Sequence, residues 1–316
     1  MVIEAKEDEC VTKVTLNGPI KIRKANFQCF QCSFDDMRWV PAKYKNEAFL
    51  REVSLANQRA EEVRLWWLGQ SGFLLQWNLI HILIDPYLSD SLTKKYQGTE
   101  KPHIRMCERV IAPEKLTFVD IVTSSHNHTD HLDAETLIPL INANPGITLI
   151  IPEANREFVS QRIHQPADFP IGLNDNQCID IMGIRFTGVP AAHNELERDD
   201  LGRCRYMGYV IEIGGKKIYH SGDTLLFDGM LELLAPFEVD LALLPINGND
   251  PTRGVAGNLN IEEAVWLAKS ISAKLTIPCH YDMFTFNTAD VSAFKTTADQ
   301  NGLNYVVLTP GESLAI

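Results

Sequence analysis

The sequence predicts a layered α/β (α+β) fold, and three observations carry that prediction. Short apolar runs with strand character recur from about residue 62 to the end, each closed by Gly, Asn or Pro. Helical patterns fall between some of these runs. No fixed-period repeat is present, and a mixture of strand pairs and helices over this length favours packed layers over a bundle or an all-β sandwich. The 316 residues, 45% of them hydrophobic and 22% charged, are enough for a sizeable core.

Taken in order, residues 1–60 read as an N-terminal extension to a main domain of residues 61–316. The extension begins with β-like runs in "VTKVTLNGPIKI" and continues into a polar helical stretch, "KNEAFLREVSLANQRAEEVR". "LWWLGQSGFLLQWNLIHILIDPYL" then reads as strands, its first pair a hairpin, with Trp66 and Trp67 as core residues. Later strands are "VDIVTSS", "ITLIIP", "IRFTGVP", "YVIEIGG", "KKIYHSG", "LALLPIN", "KLTIPCH" and "NYVVLTP". The clearest helix is "NLNIEEAVWLAKSISA", where Asn260 and Glu263 form a capping box and Ile261, Val265, Ala268 and Ile271 share a face.

Composition narrows the partners. A net charge of −12, with no basic block, disfavours nucleic acid and anionic membrane surfaces. No apolar run reaches the roughly 20 residues of a membrane span. "MVIEAKEDEC" has neither a positive start nor an apolar stretch, as expected of a cytoplasmic protein. Seven scattered cysteines predict reduced thiols, and the Cys29/Cys32 pair lacks the second pair that a zinc finger needs.

Chemistry concentrates in "TSSHNHTDHLD", residues 123–133. Three of the nine histidines, His126, His128 and His131, stand within six positions with Asp130 among them. Clustered imidazoles repel when protonated and need partners when buried, and a metal ion supplies one. An extended backbone aims His126 and His128 to the same side, leaving Asp130 and His131 to turn toward a second position. Four ligands are too few for two catalytic ions, each of which takes about three protein ligands and an open place. His193 in "AAH", Asp223 in "SGD" and His280 in "PCH" are the candidates for the rest, since each follows a strand and has small neighbours. His220 reads as supporting or structural, and His81, His103 and His164 as ordinary.

These residues together resemble the metallo-β-lactamase-fold hydrolases over about residues 62–316. The likeness rests on "HNHTDH", His193, the "SGDT" aspartate and the "PCH" histidine, in the family's order. It implies a four-layer αβ/βα sandwich. It also implies that His126, His128 and His193 hold one divalent ion, that Asp130, His131 and His280 hold another, and that Asp223 bridges them. Asp85 in "LIDP" would orient the site from behind. "WWLGQSGFLL", "YHSGDT", "NDPTRG" and "IPCHYDMF" are most similar to the branch containing L-ascorbate-6-phosphate lactonase. The implied reaction is attack by a metal-bound hydroxide on a small, phosphorylated lactone or related ester, with Asp130 helping to handle the proton.

Nitrogen and oxygen ligands suit zinc or manganese, and also iron. Beside strand ends, Arg253 is a candidate phosphate clamp or a solvated surface arginine, and Asn247, Asn249 and Tyr281 are candidate substrate contacts or turn residues. Two other readings share the fold: a phosphodiesterase similar to N-acyl phosphatidylethanolamine phospholipase D, and a non-catalytic metal-binding protein. A homo-oligomer is compatible with the sequence, with residues 1–60 as an assembly arm.

Overall fold

Alternation along the first strands sets the layers. In the computed structural model, which describes residues 39–255 and 257–316, β1 (Arg64–Gly69), β2 (Gly72–Trp77) and β3 (Ile80–Ile84) form an antiparallel meander. Nearly every position in it is buried, as in a sheet covered on both faces. Trp67, Phe73, Leu75, Ile82 and Ile84 enter one core, while Trp66, Leu68, Leu74 and Leu83 enter another. Three parallel strands extend the sheet: β4 (Ile121–Thr123), β5 (Thr148–Pro152) and β6 (Ile171–Leu173).

The second sheet holds β7 (Cys178–Ile181), β8 (Ile184–Pro190), β9 (Met207–Ile213), β10 (Lys216–His220), β11 (Leu241–Pro245) and β12 (Leu275–Cys279). Its spatial order is β12-β11-β10-β9-β8-β7, antiparallel from β7 to β10 and parallel from β10 to β12. A last strand, β13 (Ser313–Ala315), returns to pair with β1 at the edge of the first sheet.

Helices cover the outer faces. On the first sheet lie α1 (Asn46–Ala56), α3 (Ala134–Ala143) and α4 (Arg156–Ile163), with the short α2 (Ser91–Lys95) in the loop after β3. Phe49, Val53, Leu137, Leu140, Val159 and Ile163 fill the core there. Beyond the short α5 (Met230–Leu234), α6 (Ile261–Ser270) and α7 (Val291–Gln300) pack with the second sheet. The result is the helix–sheet–sheet–helix sandwich that the sequence implied.

The capping box of α6 forms as expected: Glu263 N donates to Asn260 Oδ1 at 2.8 Å, and Asn260 N to Glu263 Oε2 at 2.9 Å. Its predicted face is the inward one, with Val265, Ala268 and Ile271 buried and Ile261 partly so. The helix expected in the N-terminal extension is α1, and it shares a core with the first sheet rather than standing apart from it. All described residues belong to one unit, Met37–Ile316. The β-like run at 11–22 and the Cys29/Cys32 pair lie outside the described residues. "NYVVLTP" departs from expectation, making only a bridge at Tyr305. Asn304 and Val306 both bond Thr276, but the next partner in β12 is Pro278, which has no N–H to continue the ladder.

Cys107, Cys178, Cys204 and Cys279 are free thiols. No helix among the described residues is long and apolar enough to cross a membrane.

One buried histidine far from the strand-end loops sets an acid limit on stability. His81 in β3 bonds Asn57 Oδ1 at 3.1 Å, and burial holds its pKa below the ordinary value, partly opposed by Asp120. The fold therefore prefers the neutral ring. Its contribution is complete above about pH 6.5 and is lost as pH falls through the lower folded value. Urea unfolding at pH 7.5 and pH 5 should show the stability gap between the wild type and His81→Gln shrinking at the acid pH; a constant gap would contradict this.

Candidate metal centre

Five chain segments deliver the site to one edge of the two sheets. Asp85 follows β3, residues 124–133 follow β4, His193 follows β8, Asp223 follows β10 and His280 follows β12. A sixth, the β1–β2 turn, brings Gln70. Gln70, Asp85 and His280 are all non-glycine residues with positive φ, at 50°, 41° and 60°. Such conformations cost of order 1–3 kcal/mol each and persist where the surroundings overdetermine them. Gly222, at φ 61°, is required on contact grounds: a Cβ there would stand 2.6 Å from Met207 O and 2.9 Å from Ser125 Cβ. That close approach sets Asp223 against the histidine loop.

Asp85 organises the loop from below. It is fully buried and accepts from Ser125 N at 2.9 Å, from the Ser125 hydroxyl and from His131 Nδ1 at 2.7 Å. Because the Ser125 proton is committed to Asp85, Ser125 Oγ accepts from His126 Nδ1–H at 2.9 Å. His193 Nδ1 donates likewise to Gly257 O at 2.8 Å. Each ring is thereby held through Nδ1, with Nε2 turned toward the centre.

Two groups result. His126, His128 and His193 bring one ring nitrogen each within 4.8 Å of one another, and Asp130, His131 and His280 do the same with their ligand atoms. Asp223 lies between the groups: its Oδ1 is 3.3 Å from His131 Nε2, and its Oδ2 is 3.2 Å from His280 Nε2 and 3.7 Å from His193 Nε2. Asp85 also falls near His126 and His131, but its oxygens are already engaged as acceptors.

The electrostatics of the two groups differ. Burial keeps His126 well below the ordinary imidazole value and lowers His193 to about 4, so both rings are neutral at pH 7. Burial acts the same way on His128. In the other group burial is overcome by Asp223 and Asp130, which raise His131 well above its ordinary value and His280 to about 9. Those imidazolium charges in turn hold both carboxyls well below the usual range, against the effect of burial.

A metal fits these donors. His126 Nε2 is buried and has no hydrogen-bond partner, a costly state for a polar atom and the one expected of a ligand atom, while His131 Nε2 and Asp223 Oδ1 have only each other and Asp130 nearby. All donors are nitrogen or oxygen, while burial pushes the Cys279 thiol far up and keeps it protonated.

Above the cluster opens a cavity of about 280 Å³. His128, Asp130, His193, Asp223, His280 and Gln70 form its floor. One wall is aromatic: His103 stacks on Tyr96 with ring centres 4.2 Å apart and meets Phe284 and Phe286 edge-on. Lys95 and Arg162 add two cations. The ordinary reading of His103 is thus corrected, since its partners lie up to 183 positions away and leave no local trace.

The expected substrate contacts are also corrected, because none of the four lines this cavity. Tyr281 is buried and stacked on Trp67 at 4.9 Å. Arg253 Nη1 donates to Asn247 O at 2.6 Å and Asn287 Oδ1 at 3.0 Å, and Asn247 Nδ2 donates to the same Asn287 oxygen at 2.9 Å. They stand behind the wall, where they orient Asn287 and, through a 3.1 Å bond from Asn258 Nδ2 to Asn247 Oδ1, Asn258; these are the residues that face the cavity. Asn249 belongs to an outer groove beside Arg253. His220 donates to Ser71 O at 3.0 Å and accepts from Gly222 N at 3.3 Å, so it supports the turn that carries Asp223.

A two-sheet sandwich with a histidine–aspartate cluster at its shared edge has the donors of a metalloprotein. A family model described as "Beta-lactamase superfamily domain" matches residues 81–281. A UPF0173 metal-dependent hydrolase of Pelotomaculum thermopropionicum is 31% identical over 80% of this chain and 100% of its own. Another, from Methanosarcina mazei, is 28% identical over 81% of this chain and 99% of its own. Among solved structures, isothiocyanate hydrolase from Delia radicum gut bacteria shares the fold with a TM-score of 0.63 at 20% identity, over 80% of this chain and 99% of that one. The chain belongs to the metallo-β-lactamase superfamily, grouping with its metal-dependent hydrolases.

Proposed function

We propose that this protein is a metal-dependent hydrolase that opens a small anionic ester, a lactone in the first instance, at a centre of two divalent ions. His126, His128 and His193 would hold one ion, Asp130, His131 and His280 the other, with Asp223 shared. The observation that carries this reading is Asp223, whose two carboxylate oxygens face both groups within 3.2–3.7 Å. Zinc or manganese, or iron, suits the donors, and such ions supply an acidified water and a Lewis acid for the carbonyl oxygen.

The chain's own residues supply the rest. Asp130 lines the cavity with part of its carboxyl exposed, so it is placed to take a proton from the attacking water and pass it to the leaving oxygen. Asn287 has its oxygen occupied by Arg253 and Asn247, which directs its Nδ2 to serve as a donor to substrate. The aromatic wall excludes water from one side of the cavity. Lys95 and Arg162 form no ion pair with a carboxylate among the described residues, Arg162 donating instead to Asn127 O at 2.6 Å and Leu132 O at 3.3 Å, and a chain of net charge −12 has many carboxylates to offer. Their charge favours a substrate bearing phosphate or carboxylate, and the resemblance of the sequence motifs to the phosphorylated-lactone branch supports the same reading.

The test is a panel assay of the metal-loaded protein against phosphorylated, carboxylated and neutral lactones and bis(p-nitrophenyl) phosphate. Preferential opening of anionic lactones is expected. Turnover of the diester alone would replace the lactonase reading with a phosphodiesterase, and no turnover of any ester would leave a binding protein.

A further inference from the structure

Gln70 sits in the tight β1–β2 turn, far in sequence from every histidine of the centre, yet its side chain ends inside it. Its Nε2 is 2.8 Å from Asp130 Oδ2 and lies against the His280 ring, 3.1 Å from Nε2 and 3.3 Å from Nδ1. Asp130 and His280 are two of the three residues of one candidate metal group. Gln70 is 1% exposed, lines the cavity floor, and its Oε1 is buried without a hydrogen-bond partner. The backbone leaves the residue no freedom to withdraw. Gln70 O accepts from Trp67 Nε1 and from His280 N, each at 3.0 Å, and the residue is held at φ 50°. A donor to Asp130 alone would not need this placement, because it leaves the amide oxygen orphaned at a cost of about 1–3 kcal/mol.

Donor atoms about 2.0–2.2 Å from one ion stand roughly 3 Å or slightly more from each other. The end of the Gln70 side chain has that spacing to both Asp130 and His280. A half-turn of the amide about its last torsion exchanges nitrogen for oxygen at this point, with no movement of the backbone. We propose that Gln70 is a further protein ligand of the Asp130–His131–His280 ion, presenting Oε1 to the metal and Nε2 to Asp130 in its absence. The proposal rests on the two-ion reading given above. In it Gln70 guards the second site: the same amide satisfies Asp130 without the ion and would add one oxygen donor to the ion's shell with it. The other ion, on His126, His128 and His193, receives nothing from Gln70.

The two roles of the amide separate by substitution. Gln70→Met removes the N–H donor and replaces the amide oxygen with a weakly accepting, soft thioether at nearly constant volume, whereas Gln70→Glu keeps an oxygen donor and abolishes the N–H that serves Asp130. Metal-stripped full-length protein is titrated with Zn²⁺ by calorimetry, with bound metal counted by elemental analysis and folding checked by thermal unfolding. The wild type should bind two ions. Gln70→Met should keep one unchanged and bind the other at least about 10-fold more weakly, by analogy with lost support around a metal. Gln70→Glu should bind both ions at wild-type affinity or tighter. Unchanged affinities in Gln70→Met overturn the proposal. So does a Gln70→Glu variant as weak as Gln70→Met, which would reduce Gln70 to a hydrogen-bond donor; the Glu variant decides the matter even if the Met variant fails to fold. A wild type that binds fewer than two ions overturns the two-ion centre itself, a result visible before any Gln70 variant is compared.

Discussion

Replacing Asp85 with alanine should destabilise the protein by about 3–5 kcal/mol, the usual cost of removing one partner from a buried charged network. Asp85 has no exposed surface, and its two oxygens receive Ser125 N, the Ser125 hydroxyl and His131 Nδ1. Alanine would leave all three donors buried and without their acceptor. The effect should extend to the metals. Ser125 positions His126, and Asp85 positions His131, so both proposed ions lose ring orientation and should bind about 10–100-fold more weakly. Asp85→Asn should be milder, since asparagine keeps one acceptor and tolerates φ 41°. Urea midpoints at constant slope measure the first effect and metal titration the second. A change within about 0.5 kcal/mol would show that the network does not hold the loop.

Asp223→Asn should have the larger effect on chemistry. The substitution preserves size but removes the charge that faces His131, His193 and His280 together. Loss of a supporting residue costs about 10–100-fold in metal affinity or activity, so loss of the shared ligand should exceed that. Bound metal is expected to fall below two ions per chain and hydrolysis to drop by at least about 10²-fold. His126→Ala should behave similarly, but through the ion it shares with His128 and His193. Elemental analysis and the ester assay check both variants, and unchanged metal content and rate would dismantle the proposed centre.

The layers of this fold are readable from the sequence because strand and helix periods are local. Trp66 and Trp67 point into different cores by simple alternation, and the capping box of α6 needs only Asn260 and Glu263, three residues apart. The strand expected at 304–310 fails for a non-local reason, the missing N–H of Pro278 in its partner. The site divides the same way. "HNHTDH" is dense enough to read alone, and His193, Asp223 and His280 stand where strands end. Arg253 and Tyr281 share that location, yet one turns behind the cavity wall and the other into the core, because strand-end position does not determine side-chain direction.

By itself, then, the sequence pointed to the class of fold, to candidate donors for a metal centre and to the kind of chemistry such donors would serve. The cluster at 126–131 follows from residue types and from spacings of a few positions, where backbone geometry alone sets the neighbours, while the sandwich and the assignment of ligands to ions came from the family resemblance. Only the tertiary structure decided which remote residues complete the site. Asp223 meets both histidine groups, His103 builds a wall with Tyr96 and Phe286, and Gln70 reaches Asp130 and His280 across 60 and 210 positions. Those contacts depend on how two sheets pack and where six loops converge, and no local pattern in the chain encodes distances between segments that meet only after folding.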